Sequence, residues 1–508
     1  MNNNKRVIIL ILVVTIIHLA LSVFSNQFIT YFPYFKNVNL VSDIVVKQQI
    51  KKPISNKKFK SNSVISNDSI TINDFDAFEN KGTLIRFNAD TTAPALQKFN
   101  EKLIALSENK KVKIRIAWFG DSQIEGDFIT QDLRELLQNY FGQQKGVGYV
   151  PITCVSSDFR SSAKLNTVGD IKTDNFKKQV TNSNLFLSGY SFFSDNLSID
   201  FKDNVKKNET QITQKWLLYG KGDSISVTLN DSIRKYPANQ EFNKLLVGSG
   251  VSKKAKFSVS AKNTPIYGVS SEPKYGIVLD NFSFRGITGV ELKKLNSNLL
   301  SEISQSGYYD LIVFQYGVNL MFQADDTNYD YYYRAMKPVI KKFKANMPNT
   351  EFLLFSCSDK AFKYDDEWKT AVGMDSLINI QAKLAYENEI PFYNFYKSIG
   401  GEGTMVKWAD STVQYANKDY THFNFRGANQ AAKIIFKALI NDYKKAVKQK
   451  AILTQNPVIQ PTNQAVLPKK SKPKTTDSKS VVLKPILPKS DTSKTAVPKT
   501  AAKKTDSI

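Results

Sequence analysis

Residues 113–123 read Lys113-Ile114-Arg115-Ile116-Ala117-Trp118-Phe119-Gly120-Asp121-Ser122-Gln123, a short apolar run that stops on a Gly-Asp-Ser turn. Lys113–Phe119 has the length and the β-branched and aromatic content of a buried strand. In Gln131–Phe141, which follows, Leu133, Leu136, Leu137 and Phe141 recur at helical spacing. A strand, a tight polar turn and a helix form the first half of a βαβ unit. Ligands of such units sit at the carboxyl edge of the sheet, where Ser122 falls.

Further along the chain the same alternation returns. Gly276–Phe284, Asp310–Gln315, Glu351–Ser356 and Pro391–Tyr396 read as strands, and Val290–Ser306, Tyr331–Ala345, Met374–Asn388 and Ala428–Lys445 as helices. This order predicts a parallel sheet covered by helices on both faces. Between 159 and 274 the helical period vanishes. Asn196–Phe201, Gln211–Tyr219, Asp223–Leu229 and Lys256–Ala261 are short alternating runs between Asn, Asp and Gly turns, which predicts an all-β sandwich. The expected organisation is a discontinuous α/β domain, 81–158 and 275–445, with a β-sandwich domain, 159–274, inserted into it.

The 508 residues carry a net charge of +24, unevenly spread. Residues 1–62 hold nine Lys/Arg against one acid and 444–508 hold fifteen Lys against three acids, leaving a surplus of only four over 63–443. A nearly neutral body does not form a basic groove, so no nucleic-acid partner is expected. Val7–Phe24 follows Lys5-Arg6 and is broken only by Thr15, His18 and Ser22. It is long enough to cross a bilayer, with residues 1–6 on the cytoplasmic side. The run 7–24 reads as a transmembrane signal anchor; a signal peptide cleaved near Ala20-Leu21-Ser22 is the alternative. In both cases the body of the chain is expected outside the cytoplasm, in the periplasm or at the cell surface, held to the inner membrane in the first.

Residues 25–80, rich in Lys, Asn and Ser over 36–75, read as a linker. Residues 446–508 hold Lys, Pro, Ser and Thr with no aromatic residue. They have too little apolar surface to offset the entropy of ordering and are expected to be a disordered tail. Its lysines would be drawn to an anionic envelope polymer or lipid surface; a solvated tail without a specific partner is the alternative. The chain has two histidines, His18 in the apolar run and His422, and two cysteines, Cys154 and Cys357. That excludes a multi-histidine or cysteine-based metal centre, and no cofactor is expected. Cys357 closes a strand and reads as a core thiol, with pairing to Cys154 as the other option.

Four separated blocks carry candidate chemistry. Ser122, at the end of a strand, presents a hydroxyl and an N–H near a helix start. Arg285-Gly286-Ile287-Thr288-Gly289 follows the next strand, and its glycines let backbone approach a ligand. Tyr316-Gly317-Val318-Asn319 follows the most apolar strand and places an amide donor at its end. Asp419-Tyr420-Thr421-His422 sets a carboxylate three residues before the only imidazole outside the apolar run, a spacing that lets Asp419 hold Nδ1–H. Each block taken alone also fits ordinary turn chemistry. Asp121 reads as support for the Ser122 turn. Tyr329, Tyr331, Tyr332, Tyr333 and Trp408 fit a sugar cleft or the core equally well.

Together the order Gly-Asp-Ser, Gly, Gly-x-Asn and Asp-x-x-His resembles the SGNH (GDSL-like) hydrolase superfamily. The resemblance implies a flavodoxin-like three-layer α/β/α domain, with Ser122 as nucleophile, His422 as general base and acid, and Asp419 as its orienting carboxylate. It implies an oxyanion hole from the N–H groups of Ser122 and Gly289 and the Asn319 amide. Gly289 is chosen over Gly286 because the family's block reads G-x-S/T-G. Further segments are similar to exported bacterial esterases of the peptidoglycan O-acetylesterase kind, in which a carbohydrate-binding-module-like jelly roll is inserted between the first two blocks. These are Phe141-Gly142, Gly146–Val150, Pro265–Val269, and Gly400–Met405 with Trp408. Gln123 and the Gly-Val-Asn-Leu block depart from that pattern.

The resemblance implies a serine esterase that removes O-acetyl groups from an acetylated polysaccharide or peptidoglycan. An O-acetyltransferase with the same triad and a non-catalytic polysaccharide-binding protein are the alternatives. Because the base must be neutral, activity is expected to fall below roughly pH 6–6.5.

Overall fold

The computed structural model describes residues 71–142, 144–179, 181 and 184–455, together with Val13. The remainder of the apolar run, the linker up to residue 70 and the tail beyond 455 lie outside those residues. The chain divides into two compact units, Met1–Ala451 and Ile452–Ile508. Of the second, Ile452–Gln455 is described, as the end of a helix.

In chain order the first elements are β1 (Leu84–Ile85), α1 (Gln97–Ser107), β2 (Lys113–Gly120), α2 (Thr130–Tyr140) and β3 (Gly148–Pro151). Then follow β4 (Ala163–Val168), β5 (Lys172–Asn175), β6 (Tyr190–Asp203), β7 (Thr213–Tyr219), β8 (Ile225–Leu229), β9 (Ser232–Tyr236), β10 (Asn243–Gly250) and β11 (Lys254–Pro273). The α/β pattern resumes with β12 (Gly276–Ser283), α3 (Ser297–Gln305), β13 (Leu311–Gln315), α4 (Asp330–Asn346) and β14 (Glu351–Phe355). A hairpin β15 (Ala361–Tyr364) and β16 (Glu367–Thr370) precedes α5 (Met374–Glu387), β17 (Phe392–Tyr393), α6 (Phe395–Ile399), α7 (Thr404–Asp410) and α8 (Phe425–Gln455).

Five strands pair in parallel in the order β12-β2-β13-β14-β17, and β1 adds antiparallel at the β17 edge. Counted by appearance, the parallel strands run 2-1-3-4-5, the flavodoxin order, whose switch point lies between the first and third strands. Those are β2 and β13, which lead into Ser122 and Asn319. The period of two divides β2 cleanly. Ile114, Ile116 and Trp118 join α1, α2 and α8 in one core, while Ala117 and Phe119 join α3, α4 and α5 in the other. On α8 the small residues Ala428, Ala431, Ala432 and Ala438 are all buried against the sheet side, which lets that helix lie close.

The β-rich insertion is an antiparallel sheet of nine strands, β3 to β11, two of them long: β6 has 14 residues and β11 has 20. The first half of β11 pairs with β6 and β8, and its second half with β7 and β3. It shares a core with the α/β part. Phe119 on β2 meets Phe282 on β12 at 5.1 Å, Phe282 meets Phe186, and Phe186 stacks on Tyr267 of β11 at 4.5 Å.

At the amino end of β2 the two parts are also joined by charge. The fully buried carboxylate of Glu272 on β11 receives Arg115, Lys113 at 3.2 Å, Lys244 at 3.3 Å and the Tyr308 hydroxyl at 3.1 Å. Burial alone would raise its pKa, but Arg115, Lys244 and Lys113 hold it well below the usual carboxylate range. Burial brings Lys244 down to about 8.

Several expected boundaries move. The insertion begins at β3, not at 159, because Gly148–Pro151 pairs with Gly268–Ser271. The linker ends before residue 75, since Phe75 and Phe78 are buried and Phe75 packs on Phe87 and Tyr386. Val290–Ser306 is not one helix: Leu295 is extended, and Asn296 caps a new helix by accepting from Asn298 N–H. Only Phe392 and Tyr393 of 391–396 are strand, because Asn394 caps α6. Helix α8 continues to Gln455, so 446–455 of the expected tail are helical. Trp408 lies in α7. No helix among the described residues is long and apolar enough to cross a membrane.

Candidate active site

Ser122 opens a short 3-10 segment, Ser122–Asp127, directly after β2. Asp121 before it is buried, and its carboxylate accepts the Gln123 N–H at 2.9 Å. Burial pushes the Asp121 carboxyl up to about 6, against the pull of the Gln123 N–H, His422 and the Gly317 N–H. Asp121 therefore joins the first block to the third. Gln123 joins the first to the fourth: its side-chain amide donates to the Thr421 carbonyl.

Ser122 Oγ lies 2.7 Å from His422 Nε2, and His422 Nδ1 lies 2.8 Å from Asp419 Oδ2. The other Asp419 oxygen accepts the backbone N–H groups of Thr421 at 3.0 Å and His422 at 2.9 Å. Burial acts to raise the Asp419 carboxyl, but the hydrogen bonds from His422 and Thr421 bring it down to about 2. Ser122 is half-buried, and the side chains of His422 and Asp419 are 36% and 49% exposed. The three groups are thus aligned at the surface.

Asn319 follows β13, and its amide donates to the Ile287 carbonyl at 2.9 Å, joining the third block to the second. An amide nitrogen has two hydrogens, so one donor is left. Gly289 has φ +91°, and a Cβ there would lie 2.7 Å from the Tyr316 ring. Both the backbone conformation and the ring require glycine. Gly286, in contrast, is exposed and borders Lys177. Among the described residues neither the Ser122 N–H nor the Gly289 N–H has a hydrogen-bond acceptor.

Of the tyrosines offered for a cleft, Tyr329 and Tyr332 are core residues and Tyr333 bonds Glu387. Only Tyr331 is exposed, its hydroxyl 3.5 Å from the Leu320 carbonyl. Both cysteines are free, and Cys357 is buried against Met374. Lys360 was not singled out from the sequence. Its ammonium donates to the Val318 carbonyl at 3.2 Å and the Met321 carbonyl at 2.7 Å, bracing the loop that carries Asn319. A lysine just ahead of a short hairpin strand gives no local signal of that role.

No protein-family model matches the sequence, and no curated protein matches it. Among solved structures, a peptidoglycan O-acetylesterase is similar over 70% of this chain and 99% of its own, with a TM-score of 0.56 and 18% identity. A GDSL-like lipase from Parabacteroides merdae and an acetyl xylan esterase each cover 32% of this chain, and 72% and 81% of their own, at TM-scores of 0.25 and identities of 18% and 19%. The chain has a flavodoxin-order α/β fold with a β-rich insertion. Over the matched share it has the fold of that peptidoglycan O-acetylesterase.

Proposed function

We propose that the chain is a serine esterase that releases O-acetyl groups from an acetylated polysaccharide such as peptidoglycan. The observation that carries this reading is the line Ser122 Oγ–His422–Asp419, with contacts of 2.7 and 2.8 Å, at the switch point of the sheet. The similarity to a peptidoglycan O-acetylesterase supports the substrate class.

With Nδ1–H donated to Asp419, His422 Nε2 accepts the Ser122 proton as the hydroxyl oxygen attacks the acetyl carbonyl carbon. The carbonyl oxygen becomes an oxyanion facing the N–H groups of Ser122 and Gly289 and the Asn319 amide, each donor worth about 3 kcal/mol of barrier. His422 returns the proton to the sugar oxygen as the ester bond breaks. Water then attacks the acetyl-Ser122 ester by the same route, releasing acetate. We further propose that the apolar run 7–24 tethers the enzyme to a membrane, with the catalytic unit outside the cytoplasm, and that the Lys-rich tail meets an anionic surface.

The test is acetate release from O-acetylated peptidoglycan by the full chain and by Ser122→Ala. Release by the wild type alone supports the reading. Equal release by both refutes Ser122 as the nucleophile.

A further inference from the structure

Three phenylalanines lie on the segments that carry the candidate site and on the insertion beside them: Phe159 and Phe425 are exposed, and Phe128 is half-buried against the core. Phe128 lies just past the Ser122–Asp127 segment, and Phe425 lies three residues beyond His422. Their rings meet at 4.5 Å although they are far apart in sequence. Phe159 comes from the insertion. Its Cβ and the Phe128 ring both border Gly126: a Cβ on Gly126 would lie 3.3 Å from the first and 3.7 Å from the second. Phe159 is 60% exposed and Phe425 54%. Exposed aromatic groups clustered beside a reactive centre mark a binding surface more often than a packing defect.

Phe159 is held in place from both sides. Before it, Ser156 Oγ accepts the Gly126 N–H at 3.2 Å. After it, Ser162 Oγ donates to Asp127 at 2.5 Å, and the Arg160 guanidinium lies 3.5 Å from the same carboxylate. Asp127 is itself gripped by Arg134 at 2.8 and 2.9 Å. Asp127 is buried, and although burial acts to raise its carboxyl, the two arginines hold it far below its ordinary range. The insertion is therefore bolted to the nucleophile's own segment, and Phe159 is carried to the rim by that joint.

We propose that Phe159, Phe128 and Phe425 form an open aromatic platform for the sugar ring that bears the scissile acetyl group. This deepens the esterase reading and rests on it. Phe128 follows the nucleophile's segment and Phe425 lies three residues beyond His422, which sets the platform beside the segments that carry the reacting groups. The apolar C–H face of a pyranose fits such rings, while its hydroxyls need polar neighbours. Arg285, 57% exposed and bonded to Glu125 at 2.6 Å, provides them at the border. An acyl chain would call for an enclosed apolar tunnel, and this platform is open. The insertion thus contributes a residue to the site itself and is not only a separate sugar-binding module.

The experiment compares Phe159→Ala and Phe425→Ala in the full chain on O-acetylated peptidoglycan and on p-nitrophenyl acetate, which has no sugar. The ratio of the two kcat/KM values is expected to fall about 5- to 10-fold in each variant, through KM for the polymer, as fits an aromatic contact of about 1–1.5 kcal/mol. Phe159→Trp is expected to restore the ratio. An unchanged ratio in both alanine variants overturns the proposal. So does a selective loss on p-nitrophenyl octanoate, which would assign the platform to an acyl chain. A wild-type chain that releases no acetate from either substrate overturns the esterase reading itself, and the platform with it.

Discussion

Strand β2 has ionisable groups at both ends, and the fold treats the two ends in opposite ways. At the amino end, the buried Arg115 and Glu272 meet the partly exposed Lys113 and Lys244 in a cluster between the insertion and the sheet. Glu272 is fully buried, every contact is internal, and Arg115 also lies over the Tyr308 ring at 3.9 Å. At the carboxyl end, Asp121 alone is sealed, while Ser122, His422 and Asp419 reach solvent. An ion cluster with a fully buried carboxylate holds its partners in place, because removing one leaves an uncompensated buried charge. Groups at the open end keep access to water and substrate, which acyl transfer requires.

Breaking the amino-end cluster gives the largest expected effect on stability. Glu272→Ala leaves Arg115 and two lysines without their carboxylate and should cost about 3–5 kcal/mol, read as a fall in the denaturation midpoint. The pH dependence sharpens it. Glu272 is depressed in the folded state, so its contribution is present above the unfolded value of about 4.5 and is lost as pH falls. The gap in midpoint between wild type and Glu272→Ala should narrow below about pH 4.5.

At the open end the expected effect falls on rate instead of stability. Asn319→Ala removes one oxyanion donor and should lower kcat about 10²-fold, with KM for p-nitrophenyl acetate changing far less. A larger rise in KM than fall in kcat would move Asn319 from transition-state stabilisation to ground-state binding.

The smallest effect tests the sealed member of the open end. Asp121 is raised to about 6 by burial, so the folded protein binds its proton more tightly than the unfolded chain does. Wild-type stability should therefore fall, relative to Asp121→Asn, as pH rises from about 4 to 6, by on the order of 1–3 kcal/mol, and level off above. Thermal melts across that range read it directly. A difference that stays flat with pH would show that the carboxyl does not titrate there.

The two ends differed as much in how legible they were. The turn at Gly120-Asp121-Ser122 and the Gly317-x-Asn319 turn could be read because each follows a strand whose apolar run is continuous and local. The parallel sheet followed from the alternation of such strands with helices, whereas its flavodoxin-like order came with the resemblance to the SGNH hydrolases. The amino end could not be read in this way. Arg115, Lys244 and Glu272 come from three strands and Tyr308 from the loop after α3, and nothing local distinguishes a lysine on β10 that joins this cluster from a solvated one. The start of the insertion was hidden for the same reason, since β3 is four residues long and its partner on β11 lies over a hundred residues away. Helix α1 was passed over, and the aromatic rim depends on a contact between Phe128 and Phe425 that only the folded chain makes.

The most direct measurement is the steady-state rate of p-nitrophenyl acetate hydrolysis by the full chain and by Ser122→Ala at pH 7.5. A Ser122 nucleophile activated by His422 predicts turnover by the wild type and a loss of at least about 10³-fold in the variant. Equal rates in the two proteins would contradict it.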